Sequence, residues 1–340
     1  MEDIELRLVE ALQPVRGMFL AQVVEFSLRS GLLERVDGPG VPVDELASAL
    51  GWSGERLRGL LRYLAVEGVV TDPEGSPALT ARGRELLMFR AWYELLVGGY
   101  GSSLSDLDTL MRSDQEFASR DSAMVGKGSC GISRYDAIPM VRRLLAGADA
   151  ERPSVLVDLG CGDGTFLLDL CAELGLPGVG VDPHEPSVVT GREEAVRRGL
   201  ADRVRFEAAT AENFVKSSVE DRDPTFVAAF SLQEVLEQQG RGAVVSTVRT
   251  ILAVPGSQLV VVEVDHRPTD PSVMHHGLGI AYYNPYYLLH QVTEQRLETR
   301  AFWADVFAEA GATVVAEATP DPRVDSTGLE LGYLLRGTGQ

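Results

Sequence analysis

Basic residues are in short supply: 31 lysines and arginines stand against 50 acids, for a formal charge of −19 over 340 residues. A protein that grips nucleic acid needs a basic face to neutralise phosphates, so nucleic acid is excluded as a substrate. Cysteine is scarcer still. Cys130, Cys161 and Cys171 fit no zinc spacing and are too few for a disulfide framework, which leaves reduced thiols. No stretch approaches the ~20 apolar residues of a bilayer span. The N-terminus is acidic, where a secretory signal would begin basic and turn apolar. The expectation is a cytoplasmic protein with no membrane and no nucleic-acid partner. What is present, 45% hydrophobic and 24% charged residues, suffices for a full core and for two domains.

Residues 1–36 read as amphipathic helix, with Leu6, Leu8, Val9, Leu12, Val15, Met18, Phe19 and Val23 at helical spacing and Gly31 as punctuation. Segments 41–50 and 55–64 read as two short helices joined by a tight turn, with Ser53 as N-cap of the second. Segments 69–71 and 78–80, around a Pro-Glu-Gly turn, read as a hairpin. Helix-turn-helix followed by a hairpin is a winged helix. Its second helix carries Arg56, Arg58 and Arg62, which would suit DNA, yet acids outnumber bases over the first 87 residues. A dimerisation module over residues 1–87 is therefore expected. Residues 88–150 read as a helical linker that covers the substrate; they hold a loop or helix break at 98–103 and a polar, glycine-rich run at 119–135. From 151 to 340 strands at 155–159, 178–181, 204–208, 225–230 and 258–264 alternate with helices, the pattern of a doubly wound α/β sheet.

One run carries chemistry. An apolar strand from Val155 breaks into Asp158-x-Gly160-x-Gly162-x-Gly164 and then a helix. Glycines there let the backbone turn and approach a ligand where a Cβ would clash. A nicotinamide loop is the rival reading, but an acid in the strand end would repel a pyrophosphate and suits a cationic amino-acid cofactor. A second acid, Asp182, ends the next strand ahead of Pro183, placed to accept both hydroxyls of a ribose. Together these residues resemble the first two motifs of class I S-adenosylmethionine-dependent methyltransferases. The resemblance implies a Rossmann-like cofactor domain, with Thr210, Ala211 and Glu212 near the adenine, where the class usually places an Asp, and Phe230 at the end of the fourth strand.

A winged helix ahead of such a domain resembles the small-molecule O-methyltransferases, which are homodimers. Those enzymes place His-Asp after the fourth strand as a base; here Gln233 and Glu234 stand instead. The later segments 271–277 and 282–290, with the polar run 119–135, are similar to the branch that C-methylates 2-oxo acids and supplies β-methyl amino acids to peptide natural products. That resemblance implies a 2-oxo acid substrate and a divalent metal, zinc or iron, stabilising an enolate. Glu234, His275 and His290 would be its ligands, with His290, Glu234 and Gln233 catalytic. Each also has a plainer reading: a helix N-terminal acid, a polar loop, a satisfied core histidine. Tyr283 and Tyr287, with Arg134 and Tyr135, would hold the substrate, Arg134 or Arg120 taking its carboxylate; the tyrosines equally suit helix packing and the arginines the surface. Glu234, Glu237 and Asp106 leave a guanidino side chain open beside an aliphatic one. Two other readings stand beside this one: an O-methyltransferase using His290 or Glu234 as base, and a winged-helix regulator that senses S-adenosylmethionine.

Overall fold

The computed structural model describes residues 3–105, 107–113, 116–147, 153–217 and 223–338, so Asp106 and the expected boundary near 150 lie outside the described residues. The chain divides into two compact units, Met1–Gly101 with Asp121–Ser129, and Ser102–Arg120 with Cys130–Gln340.

In the first unit Asp3 caps the helix Ile4–Ala11 by accepting from the backbone of Glu5 and Leu6. Helices Gln13–Arg29 and Leu32–Val36 follow, separated at Gly31, whose φ of 73° a Cβ would resist. Helices Val43–Leu50 and Gly54–Val66 come next, the second capped by the Ser53 hydroxyl. Strands β1 (Val70–Thr71) and β2 (Ala78–Leu79) then pair antiparallel. Leu28, Leu32, Leu33, Leu57, Leu61 and Leu64 fill the core between them. This is the expected winged helix. Arg58 is paired with Asp44 and Arg62 with Glu74, so two of the three arginines on the second helix are met by acids of the unit itself. The first two helices leave Ile4, Leu8, Val15 and Phe19 exposed, as is Leu12 between them.

The glycine-rich run 119–135 contains the helix Ser122–Ser133, preceded by a π-helical segment Glu94–Gly99. Gly128 of this helix and Gly99 of the π-helical segment serve packing. A Cβ on Gly128 would stand 2.5 Å from the backbone nitrogen of Leu95, and one on Gly99 would stand 2.6 Å from Val125.

The second unit is a seven-stranded sheet: β3 (Leu156–Leu159), β4 (Gly178–Asp182), β5 (Val204–Ala208), β6 (Thr225–Ala229), β7 (Gln258–Val264), β8 (Ala312–Ala318) and β9 (Glu330–Gly337). Their order is β5-β4-β3-β6-β7-β9-β8, with β3 to β7 parallel and β9 antiparallel to both β7 and β8. The expected alternation holds as far as β7; the last two strands close the sheet as an antiparallel pair. Period-two alternation splits β3 between two cores. Val157 and Leu159 join Phe226, Val261 and Trp303 on one face, and Leu156 joins Leu167, Val227, Val260 and Leu334 on the other. Because the connection leaving β3 runs to β4 and the one leaving β6 runs to β7 on the opposite side, a crevice opens between the carboxyl ends of β3 and β6. No helix of the described residues is long and apolar enough to cross a membrane.

Candidate active site

Every side chain of this site belongs to the second unit. The loop after β3 takes left-handed backbone at Gly160, Gly162 and Gly164, with φ of 79°, 53° and 76°. A Cβ on Gly160 would collide with Ser231, and one on Gly164 with the Phe206 ring. Nothing stands within 4 Å of where a Cβ of Gly162 would be, so this backbone faces open space. The Gly162 N–H donates to Asp182 Oδ2 at 2.9 Å and the His184 N–H to Asp182 Oδ1 at 2.8 Å, which fixes the carboxylate at the end of β4 and shapes the turn through Pro183. Each oxygen keeps a lone pair for a ligand hydroxyl.

Beneath the loop Asp158 is buried, and its Oδ2 has no hydrogen-bond partner. Burial, and then the nearby Asp182, push its carboxyl up to about 7. An orphaned acid beside an open glycine backbone and a strand-end carboxylate fits S-adenosylmethionine, whose amino-acid end is cationic and whose ribose offers two hydroxyls. Thr210 and Ala211 start the next helix, Ala211–Ser217, where the Thr210 hydroxyl accepts from the Asn213 N–H. Phe230 follows β6 with φ of 56°, its N–H held by the Val262 carbonyl at 2.8 Å. For a bulky residue that backbone is strained, and strain of this kind concentrates at functional positions.

The helix Leu232–Gln239 follows β6. Gln233 is buried, its backbone N–H donates to Glu263 Oε1 at 3.2 Å, and its side-chain Oε1 has no partner. Sequence reasoning misses Glu263; an acid inside the apolar strand β7 is the signal that could have found it. Burial holds its carboxyl well above the usual range. Burial also raises the Glu234 carboxyl, with Arg120 opposing. The segment carrying Arg120 is tied to the helix Asn284–Val292 by the Ala118 N–H, which donates to the Val292 carbonyl at 2.8 Å. Of the two arginines suited to a substrate carboxylate, Arg120 is the one whose charge acts on Glu234, Glu237 and His290. Arg134 is ion-paired with Asp169 at 2.7 Å.

His290 is 3% exposed, packed against Tyr286 with ring centroids 3.9 Å apart and planes tilted by 46°, and its Nδ1 lies 2.9 Å from the Tyr286 carbonyl. A carbonyl only accepts, so Nδ1 carries the proton and Nε2 is the basic nitrogen. Burial lowers the imidazole to about 3, with Arg120 and His266 contributing. Tyr283 donates to Asp325 at 2.5 Å and Tyr287 to the Asp265 carbonyl at 2.6 Å; Tyr135 lies in the turn just before Asp136.

The expected metal ligands do not assemble. Among the described residues no three His, Cys, Asp or Glu side chains are grouped so as to hold a metal ion. His275 ends the short helix Pro271–Met274 with an exposed side chain, whereas His290 is buried in Asn284–Val292. The residues present therefore do not fit a resident zinc or iron.

Comparison with known proteins agrees with this geometry. A methyltransferase-domain family matches residues 156–256. The chain is 52% identical over 337 residues to a 2-ketoarginine methyltransferase of Streptomyces arginensis, covering 98% of this chain and 97% of that one. It is 31% identical over 170 residues to an indolepyruvate C-methyltransferase of Streptomyces griseus, 47% of this chain and 49% of the relative. Among solved structures, an O-methyltransferase family protein from Burkholderia thailandensis matches the full length of both chains with a TM-score of 0.66 at 16% identity, a likeness of fold. The chain belongs to the S-adenosylmethionine-dependent methyltransferases, in the family of the 2-oxo acid C-methyltransferases.

Proposed function

We propose that this chain methylates C3 of 2-ketoarginine as a homodimer in the cytoplasm, supplying a β-methyl amino acid for peptide natural products. The observation that carries the substrate is the 52% identity, over 98% of the chain, to a 2-ketoarginine methyltransferase. A panel of 2-oxo acids assayed with the purified enzyme tests it. 2-Ketoarginine is expected to give the highest kcat/KM, with the new methyl on carbon by NMR. A methoxy product, or preference for an aliphatic or aromatic oxo acid, would overturn it.

S-adenosylmethionine supplies an electrophilic methyl when bound. The chain's own residues make C3 a nucleophile. Arg120 takes the substrate carboxylate, which cancels a cation that opposes protonation of His290. His290 Nε2 then removes the C3 proton, leaving an enolate whose C3 would take the methyl as the sulfonium–methyl bond breaks and the cofactor leaves as its neutral thioether, while the proton rests on the imidazole. Glu234, on the Arg120 side, and Gln233, with its unpartnered amide oxygen, border the oxo acid. Tyr283 and Tyr287 wall the pocket.

His290→Ala is expected to slow exchange of the C3 hydrogen with deuterated water by ~10²–10⁴-fold, the usual worth of a positioned base, with cofactor binding retained. Chelated wild-type enzyme should keep exchanging. Exchange lost on chelation and restored by one divalent metal would show that a ligand set assembles around the substrate and that His290 is not sufficient.

A further inference from the structure

Three carboxyls outside the reaction centre come together in the second unit. Asp136 stands in the turn before the helix Ala137–Ala146, Asp325 in the connection between β8 and β9, and Glu330 is the first residue of β9. Their exposures are 7%, 6% and 3%. The Asp136 and Glu330 carboxyls hydrogen-bond to each other, and Asp325 acts electrostatically on both. Asp325 Oδ2 accepts from Tyr283, while its Oδ1 accepts from the Thr327 N–H and hydroxyl at 2.8 and 2.6 Å.

Burying even one carboxylate costs several kcal/mol unless a cation meets it. Among the described residues no Lys or Arg forms an ion pair with any of the three. A separate observation is that Glu330 Oε1 is buried with no hydrogen-bond partner. Three acids held out of water with an acceptor left over suit a cationic ligand.

The place also matters. Glu330 pairs with Val264, the last residue of β7, so the cluster stands at the carboxyl end of the parallel strands, as do the glycine loop and Asp182. Tyr283, bonded to Asp325, is 6.5 Å between ring centroids from Tyr286, whose ring packs against His290. Two tyrosines in succession thus separate the acids from the base.

We infer that Asp136, Asp325 and Glu330 seat the guanidinium of the substrate, and that they set the preference for a guanidino over an apolar oxo acid. A guanidinium is planar, stays charged and carries several N–H donors at fixed angles, so it can meet more than one carboxyl at once; an ammonium concentrates its charge at one point. The inference rests on the proposed 2-ketoarginine substrate, and binding tests it apart from turnover. 4-Guanidinobutanoate, which cannot be methylated by this route, is titrated calorimetrically into wild type, Asp325→Asn and Glu330→Gln. S-adenosylmethionine binding and the melting temperature serve as checks on folding.

Each variant is expected to weaken 4-guanidinobutanoate at least tenfold with cofactor affinity unchanged, and to raise KM for 2-ketoarginine more than for 4-methyl-2-oxopentanoate. Two folded variants that bind it as wild type does would overturn the seat, whatever the enzyme methylates. If wild type binds it through these acids yet does not methylate 2-ketoarginine, the proposed substrate falls and the seat stands.

Discussion

At the scale of single residues, Asp158 and Asp182 are two acids with opposite settings. Asp182 is fixed by two backbone donors and reaches solvent, whereas Asp158 is buried and orphaned. Asp182→Ala is expected to weaken S-adenosylmethionine by ~1.5–3 kcal/mol, the worth of hydrogen bonds to a charged group; unchanged affinity by calorimetry would remove Asp182 from the site. Asp158 gives a pH dependence. Its carboxyl is raised to about 7, so the native state favours the protonated form, and free-protein stability falls as pH climbs from the ordinary carboxylate range through about 7. An ammonium brought by the cofactor offsets that loss. The rise in melting temperature on adding S-adenosylmethionine should therefore be larger at pH 8 than at pH 5.5, and an equal rise at both would remove Asp158 from the contact. Both acids are legible in the sequence because a loop and a strand end hold them at short, fixed spacing. Asp136, Asp325 and Glu330 are not legible there. They meet only through tertiary folding, from segments nearly two hundred residues apart, and no local spacing marks them.

At the scale of elements, strands β3 to β7 are legible to within a residue or so at their ends, because each is an apolar run bounded by glycine, proline or polar residues. β8 and β9 are not. β8 carries a bulge between Val314 and Ala316 and is only half buried, so neither alternation nor a continuous apolar run is clear. The helix Ser122–Ser133 is obscured by its glycines, which suggest a loop in sequence and allow close approach in the fold. Two of them separate these effects. A methyl added at Gly126 would have nothing within 4 Å, so Gly126→Ala is expected to stabilise the protein by up to ~1 kcal/mol through helix propensity. Gly128 has the Leu95 backbone at 2.5 Å, so Gly128→Ala should destabilise by ~1–3 kcal/mol through overpacking. Thermal unfolding of the pair checks this; equal shifts would mean that Gly128 is not a packing position.

At the scale of the whole molecule, the exposed apolar side chains of the helices Ile4–Ala11 and Gln13–Arg29 are what a second copy would cover. Sedimentation at micromolar concentration should report a dimer, shifted towards monomer by Leu12→Glu with Phe19→Glu. A wild-type monomer, or salt-sensitive binding to duplex DNA, would count against the dimer reading. The formal charge of −19 has a further consequence. It counts every carboxyl as ionised, but burial raises Asp136 to about 6 and holds Glu330 well above its ordinary range, each facing the other and Asp325. Tyr283 borders the same acids and is raised still further, so it stays a donor. The free enzyme therefore stores protons on these acids, and a guanidinium binding there expels them. The heat of binding 4-guanidinobutanoate at pH 6 should then vary with the ionisation enthalpy of the buffer, and the slope counts the protons set free. As the pH rises past the point where the seat has already lost its protons, that slope should fade and the affinity should stop improving, which makes substrate capture by this enzyme a readout of the acidity around it.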